Sequence, residues 1–375
     1  MKNHHEILEQ ISIPHHCRGF SLIEIMVVVV ILGLLVNLGV GQYIGMRENA
    51  ELAKMRKDAD TIANLAKEYY TINGKAPKSL DDLKMSGARE TSIGTPYKIA
   101  DPFVYCEYPK GKSYFVAFRT IGKLIYVDNQ NHLRIATEVG SRGTDTLHSV
   151  DKQSRPRLSP DGSMVCATET GDKVVVYDIS GFDLNNPDKD DIEAIYPPNN
   201  QKGSHPCWTS DSTIAFIAQD SSDYYVYSFD VQTRDKASKL FKIGATEPTA
   251  MHSSADSGTI ALFNNSSSPK AIEFYSISGE YISSFESVDA ESFSLSRDGS
   301  KICLLKGGKI FTSSVDSSSL TPPKTEMDGE NPVFSPSASF VAFEKSGNIE
   351  FRFVNGDATE GLTSVQACTT PDWGR

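Results

Sequence analysis

The feature that most constrains the fold of this chain is an apolar run of 21 residues, Phe20 to Val40, in which only Ser21, Glu24 and Asn37 are polar. At about 1.5 Å of rise per residue, a helix of this length spans the roughly 30 Å hydrocarbon core of a bilayer. A signal peptide would have a shorter apolar core, followed by small residues at its cleavage site. The sequence therefore predicts a transmembrane helix over residues 20–44.

The residues at the start of this run, Arg18-Gly19-Phe20-Ser21-Leu22-Ile23-Glu24, resemble the processing site of type IV prepilins and of type II secretion pseudopilins. The resemblance implies that residues 1–19 are a leader peptide and that a prepilin peptidase cuts between Gly19 and Phe20. It also implies that Phe20 is N-methylated after the cut. The 20–44 helix is then both a membrane segment and the assembly element of a filament.

Glu24 has a physical role in this hypothesis. After cleavage the free α-amino group of Phe20 is a cation at the membrane edge, and Glu24 of a neighbouring subunit can neutralise it. Each charge is costly alone in lipid and less so when paired, so the pairing would set the axial stagger between subunits. The alternative is a single-pass anchor in which Glu24 lies near the lipid headgroups.

Charge and resemblance together predict location and partners. Arg18 ahead of the span predicts a cytoplasmic N-terminus before cleavage, with single-pass insertion in the bacterial inner membrane and later domains in the periplasm or outside the cell. The resemblance implies three partners, namely a prepilin peptidase, other pilin or pseudopilin subunits, and an inner-membrane assembly platform. A net charge of -11 without a basic stripe argues against nucleic acid as a partner.

Beyond Gly45 the pattern becomes amphipathic and ends at a stop signal, Asn73-Gly74. The apolar stripe of this part has three- and four-residue spacing and consists of Leu52, Met55, Ala59, Ile62, Leu65, Ala66 and Tyr69. One nearly continuous helix of about fifty residues is predicted. With the segment after it, which resembles the loop and strand region of pseudopilins, residues 45–140 are predicted to form a pseudopilin-like helix and small α+β domain.

Residues 141–375 have a different character, with short strand patterns and Ser/Asp/Gly turns that repeat at roughly forty-residue intervals. Two copies contain the clearest turns, Ser159-Pro160-Asp161-Gly162 and Ser296-Arg297-Asp298-Gly299. Each copy predicts a four-stranded blade, and the region resembles TolB-like β-propellers, which are related in pattern to WD40 blades. The predicted fold class is α+β, with a long transmembrane and amphipathic helix, a small pilin-like domain and an all-β propeller of about six blades.

The C-terminus bears on ring closure, because Thr369 to Trp373 match an inner strand with no later strands after it. Residues 113–137 match the later strands of a blade. Either these residues belong to the pilin-like domain, or the C-terminal strand completes a blade with them and closes the ring.

Chemistry-bearing motifs are missing from the sequence. It has no nucleophile elbow, no H-E-x-x-H motif and no phosphate-binding glycine loop. Cysteine spacing offers no C-x-x-C pair, and Cys166 and Cys303, which lie in strand patterns, are predicted to be buried small hydrophobes. We therefore expect no enzymatic activity, and we assign no catalytic residue, cofactor or metal ligand.

Two functions remain open. In the first, the protein is a pseudopilin or minor pilin that assembles through Phe20 and Glu24 and displays the propeller to an unknown protein or ligand. In the second, it is a single-pass membrane-anchored propeller that acts as a periplasmic or surface binding protein, sensor or enzyme.

Overall fold

A computed structural model describes residues 22–85, 87, 89–92, 94–108, 112–119, 122–137, 143–150, 155–198, 202–264, 270–286, 290–315, 327–354 and 368–374. The chain divides into two compact units, Met1–Lys57 and Asp58–Arg375. In the described part, one long α-helix precedes seven antiparallel sheets. The expected order of a long helix followed by β-sheets is confirmed.

Helix α1 (Leu22–Asn73) contains 52 residues and ends where the sequence predicts. The backbone N–H of Gly74 donates to the carbonyl of Tyr70 at 2.8 Å, and Gly74 has a φ of +67°. Glycine adopts this left-handed conformation without steric cost, so it terminates the helix. In the second unit, Ala59, Ile62 and Ala66 of the predicted stripe are buried.

A small sheet follows α1. Its strands are β1 (Lys98–Ala100), β2 (Phe103–Tyr108) and β3 (Lys112–Ala117). Arg119 pairs with Asp101, and its guanidinium carbon lies 5.4 Å from the ring centroid of Tyr70 on α1. The Phe103 ring packs edge-on against Phe340, with 5.1 Å between the centroids. These contacts attach the small sheet to the end of the helix on one side and to the larger β-region on the other.

The remaining strands form six sheets, which we number 1 to 6. Sheet 1 has the order β26 (Cys368–Gly374), β4 (Lys123–Asp128), β5 (His132–Ala136), β6 (Thr144–Ser149). Sheet 2 contains β7 (Arg157–Leu158), β8 (Met164–Glu169), β9 (Lys173–Asp178) and β10 (Glu193–Ile195). Sheet 3 contains β11 (Ser204–Trp208), β12 (Thr213–Asp220), β13 (Asp223–Asp230) and β14 (Ser238–Gly244). Sheet 4 contains β15 (Ala250–Ser254), β16 (Thr259–Asn264), β17 (Ala271–Ser276) and β18 (Tyr281–Glu286). Sheet 5 contains β19 (Ser292–Leu295), β20 (Lys301–Lys306), β21 (Lys309–Ser314) and β22 (Met327–Asp328). Sheet 6 contains β23 (Glu330–Phe334), β24 (Phe340–Lys345) and β25 (Asn348–Phe353).

The first strands of the six sheets contact one another in cyclic order: β7 with β11, then β15, β19, β23, β26 and β7 again. The ring is closed by β26, which pairs antiparallel with β4 so that Trp373 lies opposite Leu124. Strands β4 and β5 therefore belong to the ring, whereas β3 pairs with β2. The C-terminal strand of the predicted 141–375 propeller thus pairs with β4, which lies in the predicted 45–140 segment.

An apolar layer fills the gap between each pair of neighbouring sheets. Alternation along β9 shows how one strand serves two layers, since successive side chains point to opposite faces. Val175 packs between sheets 1 and 2, and Val174 and Val176 pack between sheets 2 and 3. Cys166 and Cys303 are fully buried free thiols in such layers, which confirms the sequence prediction.

Candidate functional site

The N-terminal segment carries the predicted processing site. Gly19 and Phe20 lie outside the described residues, and Glu24 lies in the first described turn of α1. The described apolar side chains between Leu22 and Ile31 are each at least 50% exposed on every side of the helix. A helix that is apolar all round needs a surrounding medium or partner that removes this surface from water.

Within the described residues, no helix combines the length and apolar character that crossing a membrane requires. The membrane span expected over residues 20–44 remains a prediction.

A second candidate site lies on the axis of the ring. The first strand of each sheet, β7, β11, β15, β19, β23 or β26, is its inner strand, and each inner strand has one residue at an equivalent position of the pairing register. The pairs formed with the neighbouring strand of the same sheet are Arg157–Cys166, Cys207–Ala215, His252–Ala261, Ser294–Cys303, Val333–Ala342 and Asp372–Ile125. All of these inner-strand residues except Val333 line a cavity of about 90 Å³. We call this set the axial layer.

Arg157 and Asp372 form the charged pair of the axial layer. Nη1 of Arg157 donates to Oδ1 of Asp372 at 3.2 Å, and the backbone N–H of Leu158 donates to Oδ2 at 2.7 Å. Burial raises the pKa of Asp372, while Arg157 opposes that effect. The pair joins sheets 1 and 2 at the ring closure.

His252 is held as a neutral imidazole in the same layer. Its Nδ1 lies 3.0 Å from the Ser253 carbonyl oxygen, and its Nε2 lies 3.2 Å from Oγ of Ser294. Nδ1–H can donate to the carbonyl while Nε2 accepts from the hydroxyl, so both ring nitrogens are satisfied without a charge. Burial, with Arg157 nearby, lowers the pKa of His252 well below its usual value.

In three sheets, the residue two positions before the axial-layer residue has a left-handed backbone conformation. These are Arg155 (φ +48°), His205 (φ +51°) and Asn331 (φ +48°), and each precedes a proline. In β11 and β23 the pairing register shifts at this point, as in a β-bulge, which can re-aim a side chain. Arg155 and His205 line a second cavity, of about 10 Å³, which also touches Arg157.

Arg297 bridges one end of the axis. Its Nε donates to Asp256, and its Nη1 donates to the carbonyl of Pro160 at 2.7 Å. Because Arg297 follows β19 of sheet 5 and Pro160 follows β7 of sheet 2, this bond connects sheets on opposite sides of the ring. Both residues line the cavity of about 90 Å³.

One other cluster could resemble a metal centre. Oxygen or nitrogen atoms of Asp128, His132 and Asp145 lie within 4.8 Å of one another. Arg134 already fills this place, since its Nε donates to Asp128 at 2.6 Å and its Nη2 to Asp145 at 3.1 Å. The guanidinium supplies the positive charge that a metal ion would bring, so we interpret the cluster as an ion-pair network within sheet 1.

Sequence reasoning did not identify the axial residues. No motif or spacing in the sequence connects His205 and His252 with Arg157 and Asp372. The repeats do contain two sequence features that point to these residues. An X-Pro dipeptide lies at the start of three inner strands, and polar residues occupy one repeat position that is expected to be apolar in a packed strand. Comparison of equivalent repeat positions would have grouped them.

A match to a known family lies at the N-terminus of the chain. Residues 14–36 match the family described as the prokaryotic N-terminal methylation motif. The resemblance predicted from residues 18–24 is therefore confirmed.

Part of the chain is also similar in sequence to type II secretion system proteins. The chain is 39% identical over 67 residues to type II secretion system core protein G of Pectobacterium carotovorum subsp. carotovorum, covering 18% of this chain and 43% of that protein. It is 32% identical over 83 residues to the core protein G of Aeromonas hydrophila, covering 22% and 58%. The chain spans about half the length of these relatives.

Among solved structures, the chain is similar to TolB from Acinetobacter baumannii, with a TM-score of 0.49 and 16% identity over 74% of this chain and 81% of that one. A nidogen/laminin complex structure is similar with a TM-score of 0.49 and 8% identity, over 67% of this chain and 97% of that one.

Proposed function

We propose that the protein is a pseudopilin or minor pilin subunit whose six-sheet ring is a six-bladed propeller displayed as an interaction head. A prepilin peptidase cuts between Gly19 and Phe20, Phe20 is N-methylated, and the helix assembles with other pilin subunits at an inner-membrane platform. The observation that carries this proposal is the match of residues 14–36 to the methylation motif, within which the described helix begins at Leu22 and exposes apolar side chains on every side.

The size of the ring favours a low-copy subunit. Its six sheets extend from β4 to the C-terminus and make up most of the chain. Subunits of a dense filament pack side by side around their helices, so a head of this bulk fits best at a tip or at low occupancy. The proposal assigns no catalytic step, and it places the ring in the periplasm or outside the cell.

Processing is tested by co-expression with a prepilin peptidase and intact-mass measurement. We expect the wild-type chain to lose the mass of residues 1–19 and to gain one methyl group. Gly19→Ala should remain uncut, whereas the control Gly39→Ala, within the same apolar run, should be cut normally. An uncut wild-type chain, or cleavage of Gly19→Ala at the wild-type rate, would contradict the proposal.

Assembly is tested separately through Glu24. Glu24→Ala should be cleaved but fail to enter filaments, because the α-amino group of the neighbouring Phe20 would lack its counter-charge in lipid. Glu68→Ala, which removes an exposed carboxylate from the same helix, is the matched control and should assemble. Normal incorporation of Glu24→Ala would remove Glu24 from the assembly mechanism.

The second candidate function is a membrane-anchored ring that binds a ligand without assembling. The axial cavity of about 90 Å³ favours this alternative. This alternative predicts that the chain is found in the membrane fraction as an unprocessed monomer. It also predicts that loss of the peptidase leaves its ligand binding unchanged.

A further inference from the structure

We propose that the smaller cavity on the axis, lined by Arg155 and His205, binds a small oxyanion such as a carboxylate or phosphate group. This site is separate from the methylation motif and does not depend on processing or assembly. It rests on the charge balance of the axis, on unpartnered polar groups in one layer, and on a cavity.

The charge balance of the axis is positive. Arg155 and Arg157 bring two guanidinium groups, and Asp372 is the carboxylate that pairs with one of them. The second guanidinium, of Arg155, has no acceptor among the described residues and no opposite charge acting on it. A buried cation without a counter-charge is destabilising unless an anion or water compensates it.

Two further polar side chains that lack a hydrogen-bond partner among the described residues stand at the same register position as Arg155. His205 stands at the equivalent position of sheet 3 and makes no hydrogen bond with the described residues. Ser292 stands there in sheet 5, and its hydroxyl is buried with no hydrogen-bond partner in the described part of the chain. Nearly all buried polar groups of folded proteins are hydrogen-bonded, so such groups in one layer indicate a missing partner.

The cavity has room for one oxygen atom of a small oxyanion. Arg155 and His205 each retain some accessible surface, and this surface borders the cavity of about 10 Å³ shared with Arg157. A space of this size holds about one water-sized atom, such as one oxygen of a carboxylate or phosphate. Burial lowers the pKa of His205 to about 4 and that of Arg155 to about 10, as expected for sites deep in the ring.

The backbone supports a binding role for the same residues. Arg155 and His205 both have left-handed φ values, which cost free energy for residues with a Cβ atom. The strained conformation recurs in front of a proline in separate sheets and turns both side chains into one cavity. Packing alone gives no reason to place two basic side chains in one cavity.

The test uses the full chain in detergent, with acetate and inorganic phosphate as separate probes. Both tryptophans of the chain, Trp208 and Trp373, line the larger cavity next to Arg157, so intrinsic fluorescence reports binding on the axis. Thermal unfolding gives an independent readout, because a ligand that binds only the folded state raises Tm. A response to acetate alone identifies a carboxylate site, and a response to phosphate alone identifies a phosphate site.

Arg155→Met is the decisive variant, and Arg234→Met, which removes an exposed arginine from the outer surface, is its control. We expect Arg155→Met to bind the oxyanion roughly 10- to 100-fold more weakly, since hydrogen bonds to charged groups are among the stronger ones. It should also unfold at a higher temperature than wild type in oxyanion-free buffer, because the uncompensated charge is gone. Arg234→Met should respond as wild type does.

A purely structural arginine would behave differently. If Arg155→Met is less stable than wild type without oxyanion, or retains the wild-type response, the proposal is overturned. Arg155→Lys is a second variant in case Arg155→Met does not fold. It keeps the positive charge but loses the guanidinium fork. It should retain a weakened response, and a lysine variant with no change in affinity would also argue against the site. Absence of any response in the wild-type chain to either probe overturns the proposal outright.

Discussion

Asp372 and Asp256 each accept hydrogen bonds from an arginine, yet their environments differ. The Asp372 side chain is 13% exposed and also accepts the Leu158 N–H, whereas Asp256 is 49% exposed beside Arg297. Partners of a buried pair depend on each other, because neither can turn to water when the other is removed. Surface pairs are screened and contribute little.

Asp372→Ala should therefore lower the free energy of unfolding by roughly 3–5 kcal/mol, because it leaves the Arg157 guanidinium and the Leu158 N–H unpaired inside the ring. Asp256→Ala should cost less than about 1 kcal/mol. Asp372→Asn, whose amide oxygen can still accept from Leu158, should fall between the two. Chemical denaturation of the three variants measures these differences, and equal losses for Asp372→Ala and Asp256→Ala would refute the assignment.

At this scale the sequence was least informative. Arg157, His252 and Asp372 belong to inner strands, where alternation alone predicts an ordinary core position. Their common orientation arises from six strands meeting at an axis, which is a property of tertiary packing. The left-handed residues were also unpredictable, because a residue before proline normally favours extended backbone.

Elements were more predictable, since their signals are local. The stop at Asn73-Gly74 requires only a left-handed glycine, and the Asp-Gly turns require only a short side chain that accepts backbone hydrogen bonds. The pairing of β26 with β4 was foreseeable as one of the two arrangements that the sequence leaves open. The assignment of residues 113–137 was not, as their alternation suits either sheet. Pairing divides them between β3 and the β4–β5 hairpin.

The turns after the inner strands give an element-scale prediction. Asp161 accepts from Oγ of Ser159 at 2.6 Å and from the backbone N–H of Ser163 at 3.0 Å. Asp298 repeats these contacts with Ser296 and Ser300. Asp161→Ala and Asp298→Ala should each lower the free energy of unfolding by roughly 1–3 kcal/mol, because both lose several bonds to a charged acceptor.

Asp211 provides the matched control, because it stands at the corresponding position of sheet 3. There the hydroxyl of Ser210 accepts from the backbone N–H groups of Ser212 and Thr213 instead. Asp211→Ala should therefore change stability by less than about 0.5 kcal/mol, as is usual for surface substitutions. Thermal unfolding of the three variants tests the equivalence, and a large loss for Asp211→Ala would show that turn type does not decide the cost.

The whole molecule combines an acidic chain with a basic axis. Its formal net charge is -11, yet Arg155, Arg157, His205 and His252 gather where the six sheets meet, with Asp372 as the carboxylate among them. Burial and the two arginines together disfavour the charged form of both histidines. Stability of the ring should therefore depend on pH through its axis.

For His205 the sign follows from linkage. Its pKa falls from 6.5 to about 4 on folding, so between these values the unfolded state binds more protons. His205 therefore contributes stability that is present above pH 6.5 and is lost as pH falls toward 4. Asp372 acts in the opposite direction, because its pKa is raised on folding and the folded state takes up its proton first.

Comparison of His205→Gln with wild type isolates the histidine, since Asp372 contributes to both. Glutamine cannot take up a proton, so the variant should lose less stability than wild type between pH 7 and pH 4, by up to about 3 kcal/mol. Chemical denaturation at several pH values measures the difference. It should shrink when a saturating oxyanion is present, because an anion beside His205 favours the imidazolium and reduces the pKa change on folding. Parallel pH profiles for the two proteins would mean that His205 has an ordinary pKa and that the axis is open to solvent.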